Sequence, residues 1–291
     1  MNNRRTCPPL IKYPKKRTAA LKTAPLLFLS AALLTACDIG PRTGPIVSKT
    51  IGPDTVVLGE TIVETTINGV EQTDLVFDPL FDYGLFKGWH DTSNTASYRR
   101  AKTGYLGEST SGGSVAFVGG FKNLSAPLGS AIYGRTVETK IPDKGKATYT
   151  GQYVATAREY VGDPSTSTIV DGLITGDTSL SADFETSAVS GAITNRLNKQ
   201  PSGNSTTSHQ IADIIFEPTT FDKNGFFSGT IIEGEYIIDG AGANGTYGGL
   251  ISGSDGQETV GHVNLLHDYR VPNYSETTYI IETGVFIAEE P

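Results

Sequence analysis

The side chains with reactive potential in this chain are few: four histidines, two cysteines and scattered carboxylates. His262 and His267 flank an apolar stretch, and Tyr269 lies two residues beyond. Histidine and tyrosine both ligate haem iron, so His267 and Tyr269 are candidate contacts for a haem or other iron-bearing ligand. A spacing of five puts His262 and His267 on opposite faces of a regular strand. Joint ligation therefore requires a bend, and the plainer alternative is a pair of surface or loop histidines. Glu233 and Glu235 share a strand face. A glycosidase needs its second carboxylate across a cleft, and like charges two apart otherwise mark a solvated face. Gly240-Ala-Gly-Ala-Asn-Gly245 fits G-x-G-x-x-G, but a dinucleotide site needs a helix next. The adjoining Thr246-Tyr-Gly-Gly-Leu-Ile-Ser252 reads as a strand, so the motif reads as a hairpin loop. No Walker loop, G-x-S-x-G elbow or H-E-x-x-H is present. The expectation is a protein that is not an enzyme, with no metal site and no obligatory cofactor.

Cys7 and Cys37 are the only cysteines, so the rest of the chain has no disulfide framework and no thiolate metal site. Cys37 has its own chemistry. Basic residues precede the apolar run Ala24–Ala36, and Leu34-Thr35-Ala36-Cys37 resembles the bacterial lipobox. There the signal peptidase cuts before a cysteine whose thiol forms a thioether to diacylglycerol. The alternative is an ordinary signal peptide that happens to hold a cysteine. Lipidated Cys37 would give stable membrane anchoring through several acyl chains, palmitate among them, without a spanning helix. Asp38 resembles the inner-membrane retention signal of enterobacterial lipoproteins, which leaves both outer-membrane and periplasm-facing anchoring open.

Charge divides at the same place. Residues 1–36 hold seven Lys/Arg and no acid, which leaves 16 basic against 31 acidic residues, a formal −15, for the remainder. Phosphate repulsion makes such a body a poor nucleic-acid binder. The basic cluster Tyr98–Lys102 is the exception and reads as a charged strand edge. An aromatic concentration, Phe77, Phe81, Tyr83, Phe86 and Trp89, has two readings. It is a small core packed on the main domain, or an exposed patch that anchors a ligand. Phe81, Tyr83, Phe86 and Trp89 are the candidate contacts on the second reading.

These residues need elements to position them. With 34 glycines, abundant Ser and Thr and no sustained helical periodicity, the composition favours short strands and turns. Asp38–Asp54 reads as a tether, Thr55–Val76 as weak strands, and Gly113–Phe121 as a buried strand followed by a loop at Leu124–Leu128. From Gly145 the pattern becomes regular. Strands are expected at Ala147–Arg158, Thr168–Ile174, Thr178–Glu185, Val189–Thr194, Gln210–Phe216, Gly225–Glu233, Gly245–Ser252, Gln257–Leu266 and Thr278–Ile287. Asn195–His209 and Leu266–Glu276 read as long exposed loops, the natural carriers of recognition. Closing such a sheet removes edges that would pair with neighbours; strands near Ala147 and Ala288 would make the closing pair.

Several segments, in order, resemble the C-terminal barrel of the transferrin-binding-protein-like surface lipoproteins: Gly145-Lys-Ala-Thr-Tyr-Thr-Gly151, Leu180-Ser-Ala-Asp-Phe184, Val189-Ser-Gly-Ala-Ile193, Phe227-Ser-Gly229, Gly245-Thr-Tyr-Gly-Gly249, Glu258-Thr-Val-Gly261 and Gly284-Val-Phe286. The resemblance covers Gly145–Pro291, about half of the chain. It implies an all-β fold with an eight-stranded antiparallel up-and-down β-barrel, preceded by a smaller β-rich handle-like region. The implied division is a signal peptide (1–36), tether (37–54), handle-like region (55–141) and barrel (145–291). It also implies a lipid-anchored, non-enzymatic protein of a Gram-negative cell surface, binding a protein or an iron- or haem-bearing ligand through loops at the barrel end. A small-molecule carrier with its ligand at the barrel mouth and an adhesive coat lipoprotein are the alternatives. The family's full-length members have two handle-plus-barrel lobes, whereas this chain has room for one.

Overall fold

The computed structural model describes residues 42–45, 47–51, 56–57, 66–67, 70–71, 75–77, 79–91, 103–120, 130–161, 168–202, 205–233, 244–270 and 277–291. These all fall in the compact unit Gly40–Pro291. The expected signal peptide (1–36), Cys37, Asp38, Tyr98–Lys102, Leu124–Leu128 and Glu235 lie outside the described residues.

The N-terminal strands are β1 (Thr43–Gly44), β2 (Val47–Ile51), β3 (Val56–Val57), β4 (Thr66–Ile67), β5 (Val70–Glu71), β6 (Leu75–Phe77), β7 (Phe86–Asp91), β8 (Thr103–Glu108), β9 (Ser114–Gly120), β10 (Ser130–Arg135) and β11 (Thr139–Lys140). A single 3-10 turn, Pro79–Phe81, is the helical content of the described residues. Strands β2-β10-β9-β8-β7-β6 form a six-stranded antiparallel sheet, which we call the handle; β3-β4-β5 make a small sheet, and β1 pairs with β11. Part of the expected tether is therefore pinned. Its β-branched and Ser/Thr positions find partners at Arg135–Ala131 and Lys140–Thr139, which composition alone does not reveal.

The remaining strands are β12 (Lys146–Val161), β13 (Thr168–Asp183), β14 (Ala188–Ser202), β15 (Ser205–Gln210), β16 (Ile214–Thr220), β17 (Phe226–Glu233), β18 (Asn244–Ser252), β19 (Glu258–Arg270) and β20 (Thr277–Glu289). They pair in the order β13-β12-β20-β19-β18-β17-β16-β14, and β13 pairs back with β14. Eight strands thus close an antiparallel up-and-down barrel, with β12 and β20 as the first-to-last pair. The strand and loop readings need four corrections. Thr168–Ile174 and Thr178–Glu185 are one strand, because Gly176 continues the ladder opposite Tyr153. Gln210–Phe216 is broken at 211–213, between β15 and β16. Asn195–His209 is no loop: β14 continues to Ser202 and pairs with β15, with register from Leu197↔Gln210 to Ser202↔Ser205. Leu266–Arg270 likewise extends β19, and 271–276 lie outside the described residues. A stretch of mostly polar residues has no apolar face to alternate, so its backbone ladder leaves little mark in hydropathy.

In β12, Ala147, Tyr149, Tyr153, Ala155 and Ala157 belong to the barrel core, while Thr148 and Thr150 face solvent. Alternation then lapses, and residues 153–157 are all buried. The handle covers the outside of the barrel here. Phe81, Phe86, Tyr105, Ala116, Val118, Ala131 and Tyr133 pack on Val154, Leu173, Leu250, Val260, Val285 and Ile287. A strand buried on both faces reads as a continuous apolar run, which is how Val285-Phe-Ile-Ala288 appears in the sequence.

Candidate functional site

The barrel interior is filled. Phe216 stacks on Tyr247 with centroids 4.3 Å apart and planes 8° from parallel, and Phe286 and Phe227 lean on that pair. The Tyr247 hydroxyl donates to the Glu217 carbonyl at 2.5 Å, and the Tyr149 hydroxyl to the Gly256 carbonyl at 2.7 Å. Burial pushes the Tyr247 phenol up to about 12, helped by the nearby Glu217 carboxylate. An eight-stranded barrel is just wide enough for side chains to fill, and these aromatics do so.

One ion pair interrupts the apolar packing. Arg196 and Glu282 are both 0% exposed, with Nη2 2.5 Å from Oε2. The Tyr153 hydroxyl donates to Glu282 Oε1 at 2.6 Å, and Arg196 also donates to the Ala212 carbonyl. Desolvation, then the Glu282 charge, holds the Tyr153 phenol far above its ordinary value. Backbone geometry aims the arginine. The β13–β14 register shifts between Thr175 and Asp177, and Asn195 sits at φ 52° in the bulge. Asparagine tolerates this left-handed conformation better than most residues, and a bulge re-aims the side chains that follow it. Asn195 consequently lies exposed, donating to Asp177 Oδ2 at 2.8 Å, and Arg196 turns inward. Neither Arg196 nor Glu282 was anticipated from sequence. The available signal was a carboxylate with the strand parity of Phe286 and Ala288.

The candidate contact residues divide between two elements. Phe81 and Phe86 are buried in the handle–barrel core. Tyr83 is half-buried, and its hydroxyl donates to Asp177 Oδ1 on the barrel. The Lys199 ammonium lies 5.6 Å from the Tyr83 ring centroid. Burial, with the Asp177 carboxylate, raises the Tyr83 phenol, and burial lowers the Lys199 amine. Trp89 stands on β7, paired with Phe77 and Gly104. His267 and Tyr269 stand on β19, opposite Ile280 and Thr278, with the same backbone parity as Val263 and Leu265. Among the described residues no group of three or more His, Cys, Asp or Glu side chains is placed to hold a metal ion.

The seam between handle and barrel holds buried polar groups. The Glu258 carboxylate receives Ser111 Oγ and Ser114 Oγ, the latter at 2.6 Å, and Ser114 Oγ also meets Ser252 Oγ at 2.6 Å. The Arg135 guanidinium donates to the carbonyls of Pro45, Asn224 and Ile251, tying three segments together. Burial lowers its pKa to about 10. His262 stacks on Tyr133 at 5.3 Å, and its Nδ1 has no hydrogen-bond partner. Burial, with the Lys49 charge, lowers its pKa to about 4.

The two barrel ends differ. One carries tight turns at 184–187, 221–225 and 253–257, joined by β1, β11 and Arg42. Arg42 donates to the Phe184 carbonyl and to Ser187 Oγ, each at 3.2 Å. At the opposite end β12, β13, β14, β19 and β20 run on as strands of 13 to 16 residues, with β15 added. Exposed large apolar residues of the barrel gather toward this extended end: Leu197 (37%), Ile215 (45%), Ile232 (50%) and Leu266 (42%).

No family model and no curated protein matches the chain. Among solved structures, it is similar to a double mutant of transferrin binding protein B from Haemophilus parasuis, at 10% identity and a TM-score of 0.42, over 84% of this chain and 45% of that one. It is also similar to isotype 1 transferrin binding protein B from serogroup B Neisseria meningitidis, at 14% identity and a TM-score of 0.35, over 84% of this chain and 43% of that one. The chain spans less than half the length of these proteins.

Proposed function

We propose that this is a lipid-anchored, non-enzymatic binding protein of a Gram-negative cell envelope, held through Cys37 and meeting a protein partner at the extended end of its barrel. The asymmetry of the barrel ends carries the reading. Arg42 is fastened to the tight-turn end, through Phe184 and Ser187. Five residues of chain reach at most about 18 Å, so an acylated Cys37 would keep that end near the bilayer. The long strands would then project away from the membrane. The packed interior favours contact on the outside of the barrel over carriage within it.

Two experiments test this. Cys37→Ser should abolish incorporation of labelled palmitate and release the protein from the membrane fraction. A photo-crosslinking residue at Ser208 or Gln210, on the extended end, should give discrete protein adducts on intact cells. The same residue at Ser254 or Asp255, in a tight turn, should give none. Adducts from the tight-turn positions alone would sink the proposal. The resemblance also implies an iron- or haem-bearing partner. A Soret shift on titration with free haem would move the reading toward a carrier, and no shift at micromolar haem leaves the protein partner.

A further inference from the structure

The handle covers β12, β13, β18, β19 and β20 through Val154, Leu173, Leu250, Val260, Val285 and Ile287, while the wall formed by β14, β16 and β17 carries solvent-exposed positions. On that wall Ile215 lies directly opposite Ile232, and Ala192 lies opposite Ile215 on the other side. The two isoleucines are 45% and 50% exposed. Carboxylates border them: Glu217, two residues on along the same face of β16, and Asp213, just before the strand begins, are both exposed, and Glu217 accepts from Thr230 across the strand pair. Single exposed apolar residues are ordinary. Two bulky ones in register, bordered by carboxylates, combine an apolar contact with a defined charge.

We infer that the row Ala192–Ile215–Ile232, with Asp213 and Glu217, is a contact surface for a partner segment that presents apolar side chains flanked by Lys or Arg. This deepens the proposed binding function and rests on it. Charge selects the occupant. A second copy would bring Asp213 and Glu217 against their own equivalents, on a body with a formal charge of −15 beyond residue 36. An anionic lipid surface would meet the same repulsion. A cationic, apolar segment gains from both components, since complementary charge speeds encounter and suppresses wrong partners.

The test uses the purified protein and two synthetic amphipathic helices with identical leucine faces, one with lysine and one with glutamate on its polar face. Fluorescence anisotropy should show binding of the lysine peptide, weakened by salt, and none of the glutamate peptide. The double variant Ile215→Ser/Ile232→Ser should bind the lysine peptide about tenfold more weakly, through lost apolar area. Asp213→Asn/Glu217→Gln should weaken it similarly and flatten its salt dependence. Circular dichroism confirms that each variant is folded. Equal affinity of the lysine peptide for the wild-type and serine proteins overturns the inference, as does equal binding of both peptides. If that happens while the Ser208 and Gln210 adducts persist, this surface is wrong and the wider binding function stands; loss of those adducts from the wild type removes the wider reading itself.

Discussion

Tyr153 and Glu282 meet inside the barrel, the phenol oxygen 2.6 Å from Oε1, while Arg196 reaches the other carboxylate oxygen from across the interior. The Glu282 carboxylate accepts from both partners, and its charge is offset by the guanidinium, at a site where all three side chains are buried. Removing one partner of a buried ion pair strands the other and costs about 3–5 kcal/mol. Arg196→Met and Glu282→Ala should each lose that much in urea denaturation. Arg196→Met/Glu282→Leu should lose clearly less than the two singles combined, because no charge is left unpaired.

Packing around the same tyrosine makes Gly284 intolerant of a side chain. A Cβ there would lie 2.2 Å from the Tyr153 hydroxyl oxygen and 2.4 Å from Cζ. The ring cannot swing aside without breaking its bond to Glu282. Gly284→Ala should destabilise by about 1–3 kcal/mol. Combining it with Tyr153→Leu should show coupling in a double-mutant cycle, since the two sites share one space.

His262 links stability to pH. Its ordinary value is 6.5 and its folded value about 4, so above pH 6.5 it is neutral in both states and costs nothing. As pH falls from 6.5 toward 4 the unfolded chain takes up the proton and the folded chain does not. Stability should drop by about 3 kcal/mol across that window. The groups facing the imidazole are Tyr133 from β10, Gly248 from β18 and the Lys49 cation from β2, and none offers a negative charge. Chemical denaturation of His262→Gln from pH 7 to 4 should show a shallower decline than wild type.

Tyr83 clasps the handle to the barrel through Asp177. Tyr83→Phe keeps the ring and the nearby Lys199 ammonium but loses a hydrogen bond to a carboxylate, a change of about 1–2 kcal/mol. Hydrogen exchange should quicken in Phe86–Asp91 while the barrel strands stay protected. Equal exchange in wild type and variant would show that the handle is held by its apolar face alone.

Much of the fold was legible because antiparallel strands with one buried face write a period of two into the sequence. Ala147–Arg158 and Gly245–Ser252 appear almost where expected. The hairpin between Leu180 and Ile193 is present in register. Asn195–His209 failed for the converse reason: its residues are nearly all polar, buried Arg196 and Asn198 included, and a polar ladder reads as a loop. The aromatic segment was ambiguous on its face. Phe81 and Phe86 are core because a barrel wall lies beneath them, and Tyr83 is a tether because Asp177 stands opposite.

The sequence by itself determined the strand alternation and the tight turns, where Gly225, Gly253 and Gly256 adopt the positive φ that other residues resist. It also set the division between a basic, apolar first 36 residues and an acidic remainder. Tertiary structure decided which outward faces are covered and which buried charges meet. Arg196 and Glu282 are 86 residues apart. Alternation assigns each residue a face of its own strand, but a neighbour across a closed barrel depends on register, closure and one bulge at Asn195. Those are properties of the assembled sheet, and no single stretch of the chain contains them.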